Sequence, residues 1–221
     1  MRQALRITVL ISGSGSNLQA LIDACTAGKI PARIVHVISN VAEAPGLQRA
    51  RRAGIASSVL EHGAFADRAD FDRALALLIA AGGPQLVVLA GFMRIVGPAV
   101  LEPFRGRIIN LHPSLLPLYR GTDTYRRALD AGDRQHGASI HFVTGELDGG
   151  PVISQVAIPV LPGDDAAGLA ARLGPMEHRL VVATVALFAT RRVECGDGAV
   201  CVDGGRLERP LQLQADDRLA A

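Results

Sequence analysis

Asn110 and His112 stand two residues apart at the end of an apolar run, just before the proline-rich stretch 113–117. If residues 108–111 form a strand, alternation points both side chains to the same side. A side-chain amide and an imidazole converging on one point can stabilise a developing oxyanion and move a proton. A lone histidine also serves structure alone, so it is the pairing with Asn110 that suggests chemistry. Farther on, the segment Glu146, Leu147, Asp148, Gly149, Gly150 and Pro151 sets two carboxylates in a rigid turn. That turn either aims one acid into a cleft or is a solvated acidic loop. A metal ion is an alternative use of His112, His141 and Asp148, but no close ligand pair such as His-x-x-x-His supports it.

A second candidate site lies near the amino terminus, where Ser12, Gly13, Ser14, Gly15, Ser16 and Asn17 follow an apolar run and precede a helical pattern. Glycines there let backbone amides converge on an anion, and a helix start favours phosphate. The alternative is a tight turn in which Ser16 or Asn17 caps the helix. A dinucleotide fingerprint wants Gly at position 18 and an acid closing the next strand, but Leu18 and Asn40 stand there. No Gly-Lys-Ser or Gly-Lys-Thr follows, so a lone phosphate ester remains.

These residues need a scaffold that brings them together. Short apolar, β-branched runs at 7–11, 34–38, 86–90 and 108–111 read as buried strands. Helical patterns at 17–27, 45–53 and 67–81 alternate with them, which predicts an α/β, doubly wound, mostly parallel sheet flanked by helices. After His112 the pattern changes: a short helix near 124–131, strands near 138–143 and 152–160, a long helix from about 164 to 190, and a hairpin around 195–206. This part reads as mixed or antiparallel.

Composition narrows the class of function. The 221 residues are 49% hydrophobic but only 4% aromatic with no Trp, which suits a sheet core of Val, Ile, Leu and Ala. The formal charge is +2 with no long block of either sign, so small molecules rather than nucleic acid are the expected partners. Cys25, Cys195 and Cys201 are odd in number and lack metal-ligand spacing, and no signal peptide precedes the first strand. A cytoplasmic location is the simplest expectation. Apolar stretches break well short of the ~18 residues a membrane helix needs, so no membrane association is expected.

Four ordered blocks carry a resemblance: Ile-Ser-Gly-Ser-Gly-Ser-Asn-Leu at 11–18, Leu-Ala-Gly-Phe-Met-Arg-Ile at 89–95, Asn-Leu-His-Pro-Ser-Leu-Leu-Pro at 110–117, and Glu-Leu-Asp-Gly-Gly-Pro-Val-Ile at 146–153. Together they resemble the phosphoribosylglycinamide formyltransferase family, folate-dependent enzymes of purine synthesis, over about residues 7–187. The resemblance implies a single domain over 1–221, with a phosphate-binding half to about 112, a folate-binding and catalytic half over about 113–192, and a hairpin and tail beyond. It implies that Asn110, His112 and Asp148 are catalytic, that Gly15, Ser16 and Asn17 hold the substrate phosphate, and that Glu177 contacts the glycinamide. The implied folate contacts are Arg68, Met93, Arg94, Ile95 and Val96, with Thr144, Gly145, Glu146, Leu147, Asp148 and Asn110. Ile95 and Val96 also read as plain core. The implied cosubstrate is 10-formyltetrahydrofolate, with no tightly bound cofactor or metal, and the chain would be a monomer or homodimer.

The chain departs from the family pattern at Leu118, where Lys is common, at Asp123 and Tyr125, where His residues often sit, and at Gly174, Pro175 and Met176 before Glu177. Other folate formyl-group enzymes resemble the same trio. One that formylates methionyl-tRNA is expected to carry a further basic C-terminal domain, and one that hydrolyses formyl folate an extra N-terminal domain. A non-catalytic phosphate sensor is expected to have lost Asn110, His112 or Asp148, and all three are present.

Overall fold

The computed structural model describes residues 3–196 and 198–221. Asp197, in the turn of the hairpin read from the sequence, lies outside the described residues. Two compact units divide the chain, Met1–Asn110 and Leu111–Ala221.

The first unit alternates strand and helix: β1 (Leu5–Ile11), α1 (Ser16–Thr26), β2 (Ala32–Ser39), α2 (Pro45–Arg52), β3 (Ser57–Val59), α3 (Arg68–Ala81), β4 (Leu86–Leu89), α4 (Pro98–Leu101) and β5 (Ile108–His112). The last two residues of β5 fall in the second unit. Neighbouring strands run parallel in the order β5-β4-β1-β2-β3. This is the mostly parallel, doubly wound sheet expected from the alternation. β1 leads to β2 on one side and lies against β4 on the other, so the chain order reverses at β1. Ligands of open α/β sheets bind outside the carboxyl ends of strands at such a reversal.

Burial explains why the apolar runs become strands. Ile7, Val9, Leu10 and Ile11 of β1 and Val37 and Ile38 of β2 have no exposed surface. Each fully buried aliphatic side chain of this kind contributes roughly 1.5–3 kcal/mol. Helix starts follow local chemistry. Pro45 opens α2 in its first turn, and the Asp67 carboxylate accepts the Asp70 amide at 2.8 Å to cap α3.

The second unit contains α5 (Thr124–Asp130), β6 (Gln135–Phe142), β7 (Val152–Pro159), α6 (Ala166–Thr190), β8 (Val193–Gly196), β9 (Ala199–Val202), β10 (Gly205–Arg206), β11 (Leu211–Leu213) and β12 (Leu219–Ala220). β6 and β7 pair antiparallel, β7 and β11 parallel, and β11 and β12 antiparallel, the mixed arrangement expected for this part. β8, β9 and β10 form a separate antiparallel sheet. Asp165 caps α6 by accepting the Gly168 amide at 2.7 Å, and the helix continues through Pro175 although proline has no amide to donate. Leu169, Leu173, Leu180 and Val181 hold it in place with no exposed surface. Among the described residues no helix is long and apolar enough to cross a membrane.

Candidate functional site

In the first unit the glycine loop joins β1 to α1. Gly15 is the helix N-cap, with φ 68° and no side-chain cap bond, and Ser16 is the first helical residue. The helix cap is therefore Gly15 rather than Ser16 or Asn17. The left-handed conformation favours glycine. Space demands it as well, because a Cβ on Gly15 would sit 2.6 Å from the Cα of Gly46 in α2. The first turn of α1 leaves amides without intrahelical partners, which suits an anion.

Two bonds tie this loop to the segment after β4. The Ser12 amide donates to the Gly91 carbonyl at 3.0 Å, and the Met93 amide donates to Ser12 Oγ at 2.7 Å. Met93 and Ile95 are 73% and 54% exposed, whereas Val96 is 5% exposed. The core reading thus holds for Val96 and fails for Ile95, whose side chain is available to a ligand. Arg94 stacks on Phe71 at 5.9 Å. Arg68, first residue of α3, donates to the Ile95 carbonyl at 2.9 Å and lies 3.7 Å from the Asp72 carboxylate. Burial raises the Asp72 pKa, against the opposing influence of Arg68, the Gly97 amide and Arg94. Asn110 pairs with Leu89 across β5 and β4, at the carboxyl end of the sheet.

In the second unit His112 and Asp148, 36 positions apart in sequence, meet. His112 Nδ1 lies 3.5 Å from Asp148 Oδ2, and their side chains are 6% and 10% exposed. The other oxygen of Asp148 faces His141 Nε2, also at 3.5 Å. The Gly121 amide donates to Asp148 Oδ2 at 2.9 Å. Asp148 adopts φ 47°, an uncommon conformation for a residue with a Cβ. The turn around it is tightly built: a Cβ on Gly150 would lie 1.8 Å from the Phe142 carbonyl oxygen, and one on Gly149 2.3 Å from Glu146. Of the two acids in that turn, Asp148 points inward and Glu146 pairs with Arg120 at the surface. Leu147 is 49% exposed, and the Glu146 amide donates to Thr144 Oγ1 at 3.4 Å. Gly145 is exposed.

A backbone carbonyl faces one nitrogen of each imidazole. His112 Nε2 is 2.9 Å from the Tyr119 carbonyl oxygen, and His141 Nδ1 is 2.9 Å from that of Phe142. A carbonyl only accepts, so each of these nitrogens carries a hydrogen. In neutral His112 the nitrogen facing Asp148 then holds a lone pair. Burial lowers the His112 pKa, outweighing the Tyr119 carbonyl and the Asp148 charge, which raise it. In the structure burial wins and the ring rests neutral. For Asp148 burial acts upward, but bonds from His141 and Gly121 and the nearby His112 together hold it below the usual carboxylate value. The result is an ionised acid beside a neutral His112 ring, able to stabilise a proton arriving on that ring.

Glu177, on α6, accepts a bond from the Tyr125 hydroxyl at 3.3 Å. The Tyr125 ring packs on buried His136 with centroids 5.0 Å apart. Asp123 is exposed at φ 58° and pairs with Arg126 at 3.5 Å, and Leu118 is 53% exposed. The sequence grouped His141 with His112 and Asp148 only as a metal-binding alternative, and it did not name the Gly121 amide. The run of buried residues in β6 carries a hint of the first, since a buried polar ring must find a partner. Nothing in the sequence signals the second. Among the described residues no group of three His, Cys, Asp or Glu side chains is arranged to hold a metal ion.

Comparison with known proteins extends the picture. A sequence model of the formyl transferase family matches residues 5–185. The chain is 50% identical over 213 residues to the phosphoribosylglycinamide formyltransferase of Escherichia coli strain K12, covering 96% of this chain and 100% of that one. It is 40% identical over 201 residues to the human trifunctional purine biosynthetic protein adenosine-3, covering 90% of this chain and 20% of that much longer protein. Among solved structures, glycinamide ribonucleotide transformylase 1 from Symbiobacterium toebii superposes with a TM-score of 0.88 at 45% identity, covering 91% of this chain and 95% of that one. The phosphoribosylglycinamide formyltransferase of Coxiella burnetii, in complex with CHES, also gives a TM-score of 0.88, at 42% identity and 98% coverage of both chains.

Proposed function

The chain belongs to the formyl transferase family, and we infer that it transfers the formyl group of 10-formyltetrahydrofolate to the amine of 5'-phosphoribosylglycinamide in purine synthesis. The products are the N-formyl ribonucleotide and tetrahydrofolate. Similarity along the whole chain to enzymes of that name supports the reading. The structural observation that carries it is the buried His112–Asp148 pair at the end of β5.

In this reading the neutral amine attacks the formyl carbon, forming a C–N bond and moving the carbonyl electron pair onto oxygen. Asn110 donates its side-chain amide to that oxyanion; removing such a donor typically costs about 10²-fold or more in turnover. His112 brings its Nε2–H, which the Tyr119 carbonyl holds before the oxyanion replaces it. As the bond to the folate nitrogen breaks, the amine loses a proton and the folate nitrogen gains one. The lone pair of His112 Nδ1 and the Asp148 carboxylate handle that proton as a unit, directly or through water. Protonation of Nδ1 turns their 3.5 Å contact into a charge-assisted bond.

Binding energy remote from the reacting atoms orients the two reactants. Gly15, Ser16 and Asn17 take the substrate phosphate at the start of α1, and Glu177 takes the glycinamide. Folate contacts are assigned to Arg68, Met93, Arg94 and Ile95 and to residues 144–148. Small soluble reactants of this kind fit a cytoplasmic enzyme.

The test is a purified-protein assay with both substrates, following tetrahydrofolate and formylated product together. Equal yields of the two, with no deformylation when the ribonucleotide is omitted, are the expected result. Deformylation independent of the amine overturns the reading in favour of hydrolysis.

A further inference from the structure

Building on the reading of the glycine loop as the phosphate site, we propose that Arg49 is the positioning residue that turns the loop amides toward the phosphate. Two successive loop carbonyls are bound by α2. The Gly46 amide donates to the Gly13 carbonyl at 3.1 Å, and Arg49 Nε donates to the Ser14 carbonyl at 2.8 Å. A planar trans peptide points its C=O and N–H in opposite directions. Fixing the Gly13 and Ser14 carbonyls against α2 therefore turns the amides of Ser14 and Gly15 away from it, to the face where an anion can sit. A flipped peptide would instead offer a carbonyl oxygen to the phosphate.

Packing does little of this work. Gly13 and Ser14 are exposed, and a Cβ added to Gly13 would meet nothing within 4 Å. The guanidinium is itself braced: Arg49 Nη1 donates to Gln19 Oε1 at 3.2 Å, and Gln19 Nε2 donates to Asp23 Oδ1 at 2.8 Å. One rigid fork thus joins the loop to the α1 surface, which the single ammonium of a lysine does not reproduce. The Gly15 and Gly46 backbones, in contact, bring α2 close enough for Arg49 to reach.

The test compares Arg49→Lys, which keeps the charge, with Gln19→Ala, which loosens the brace, and Arg51→Ala, which removes one charge from an exposed position on the same helix. Each is assayed for KM of both substrates, for inhibition by inorganic phosphate and for thermal midpoint. Arg49→Lys should raise the ribonucleotide KM and the phosphate inhibition constant by roughly tenfold, with the formyl folate KM within about twofold, as expected for losing one well-placed hydrogen bond. Gln19→Ala should move the same two constants by a smaller factor, and Arg51→Ala should leave them near the parent values. If Arg49→Lys keeps the parent ribonucleotide KM and phosphate inhibition, or weakens both substrates equally, the positioning role is overturned. If inorganic phosphate does not compete with the ribonucleotide in the parent protein, the phosphate-site reading itself falls, and this inference with it.

Discussion

Replacing Asp148 by Asn keeps the size of the side chain and removes its charge, and the structure lets the consequence be worked out. The carboxylate sits 3.5 Å from His112 Nδ1 with only 10% of its side chain exposed. At an effective dielectric near 20, two unit charges at that distance interact by about 5 kcal/mol. This attraction acts only while His112 carries a proton, because the neutral ring is the resting form set by burial. Its loss therefore falls on the transient protonated state. The Asn dipole and water recover part of it, which leaves roughly 3 kcal/mol, or about 10²-fold in turnover. The ribonucleotide should still bind, since its proposed phosphate contacts at Gly15, Ser16 and Asn17 do not include Asp148. His112→Asn should fall as steeply, and the double variant should lose far less than the product of the single losses, because groups acting as a unit are non-additive. Single-turnover rates, ribonucleotide affinity and thermal midpoints for the three variants are the measurements. Folded single variants with near-normal turnover would refute the acid–base assignment and leave the pair a purely structural contact.

Gly15→Val should weaken the ribonucleotide much more than the folate, with a lowered thermal midpoint, because its Cβ would lie 2.6 Å from Gly46 Cα at φ 68°; equal losses for both ligands count against the phosphate assignment. Tyr125→Phe keeps the ring on His136 but removes the hydroxyl from Glu177, so ribonucleotide KM should rise by roughly three- to tenfold with little change in folate KM. An unchanged ribonucleotide KM removes Tyr125 from substrate binding. His36, His112 and His136 all have pKa values lowered chiefly by burial, so the unfolded chain binds more protons below the ordinary imidazole value of about 6.5. Stability should be fully present above that pH and decline as pH falls through the lowered values, each group contributing a limiting slope of about 1.4 kcal/mol per pH unit. Urea midpoints at a series of pH values check this, and a flat profile from neutral pH down to 5 contradicts it.

Much of the first unit was legible because its strands bury both faces. Runs such as residues 7–11 and 34–38 are continuous and β-branched, and each becomes a strand with completely buried positions. β3 escaped because Ser57–Val59 is three residues long, opens with two serines and lacks an apolar run. Its strand character comes from pairing with β2, a tertiary effect. α4 escaped for a similar reason, being only four residues long, Pro98–Leu101. The candidate site was legible as residue types and poorly legible as geometry. Asn110 and His112 share one strand, so local alternation relates them. The link from Asp148 to His112 depends instead on a left-handed residue in a glycine turn and on an amide from Gly121, 27 positions earlier. The net pKa of His112 was not legible at all, because it depends on how deeply the ring is buried.

The departures from the family pattern also change meaning once placed. In sequence, Leu118, Asp123 and Tyr125 look like three independent losses of polar or basic groups near the site. Two of them face solvent: Leu118 is 53% exposed, and Asp123 pairs with Arg126 at the surface. Tyr125 is different, since its hydroxyl reaches Glu177 across 52 positions and its ring covers His136. A histidine at 125 would titrate near neutral pH, whereas burial first, and then the Glu177 carboxylate, push the Tyr125 phenol far above its ordinary range. The hydroxyl therefore stays a neutral donor to Glu177 around neutral pH. Changing this one residue keeps a hydrogen bond at the carboxylate proposed to contact the glycinamide and removes a titration from it. The substitution is thus compatible with the proposed substrate, and its effect should appear in the pH dependence of ribonucleotide binding rather than in the chemical step at His112 and Asp148.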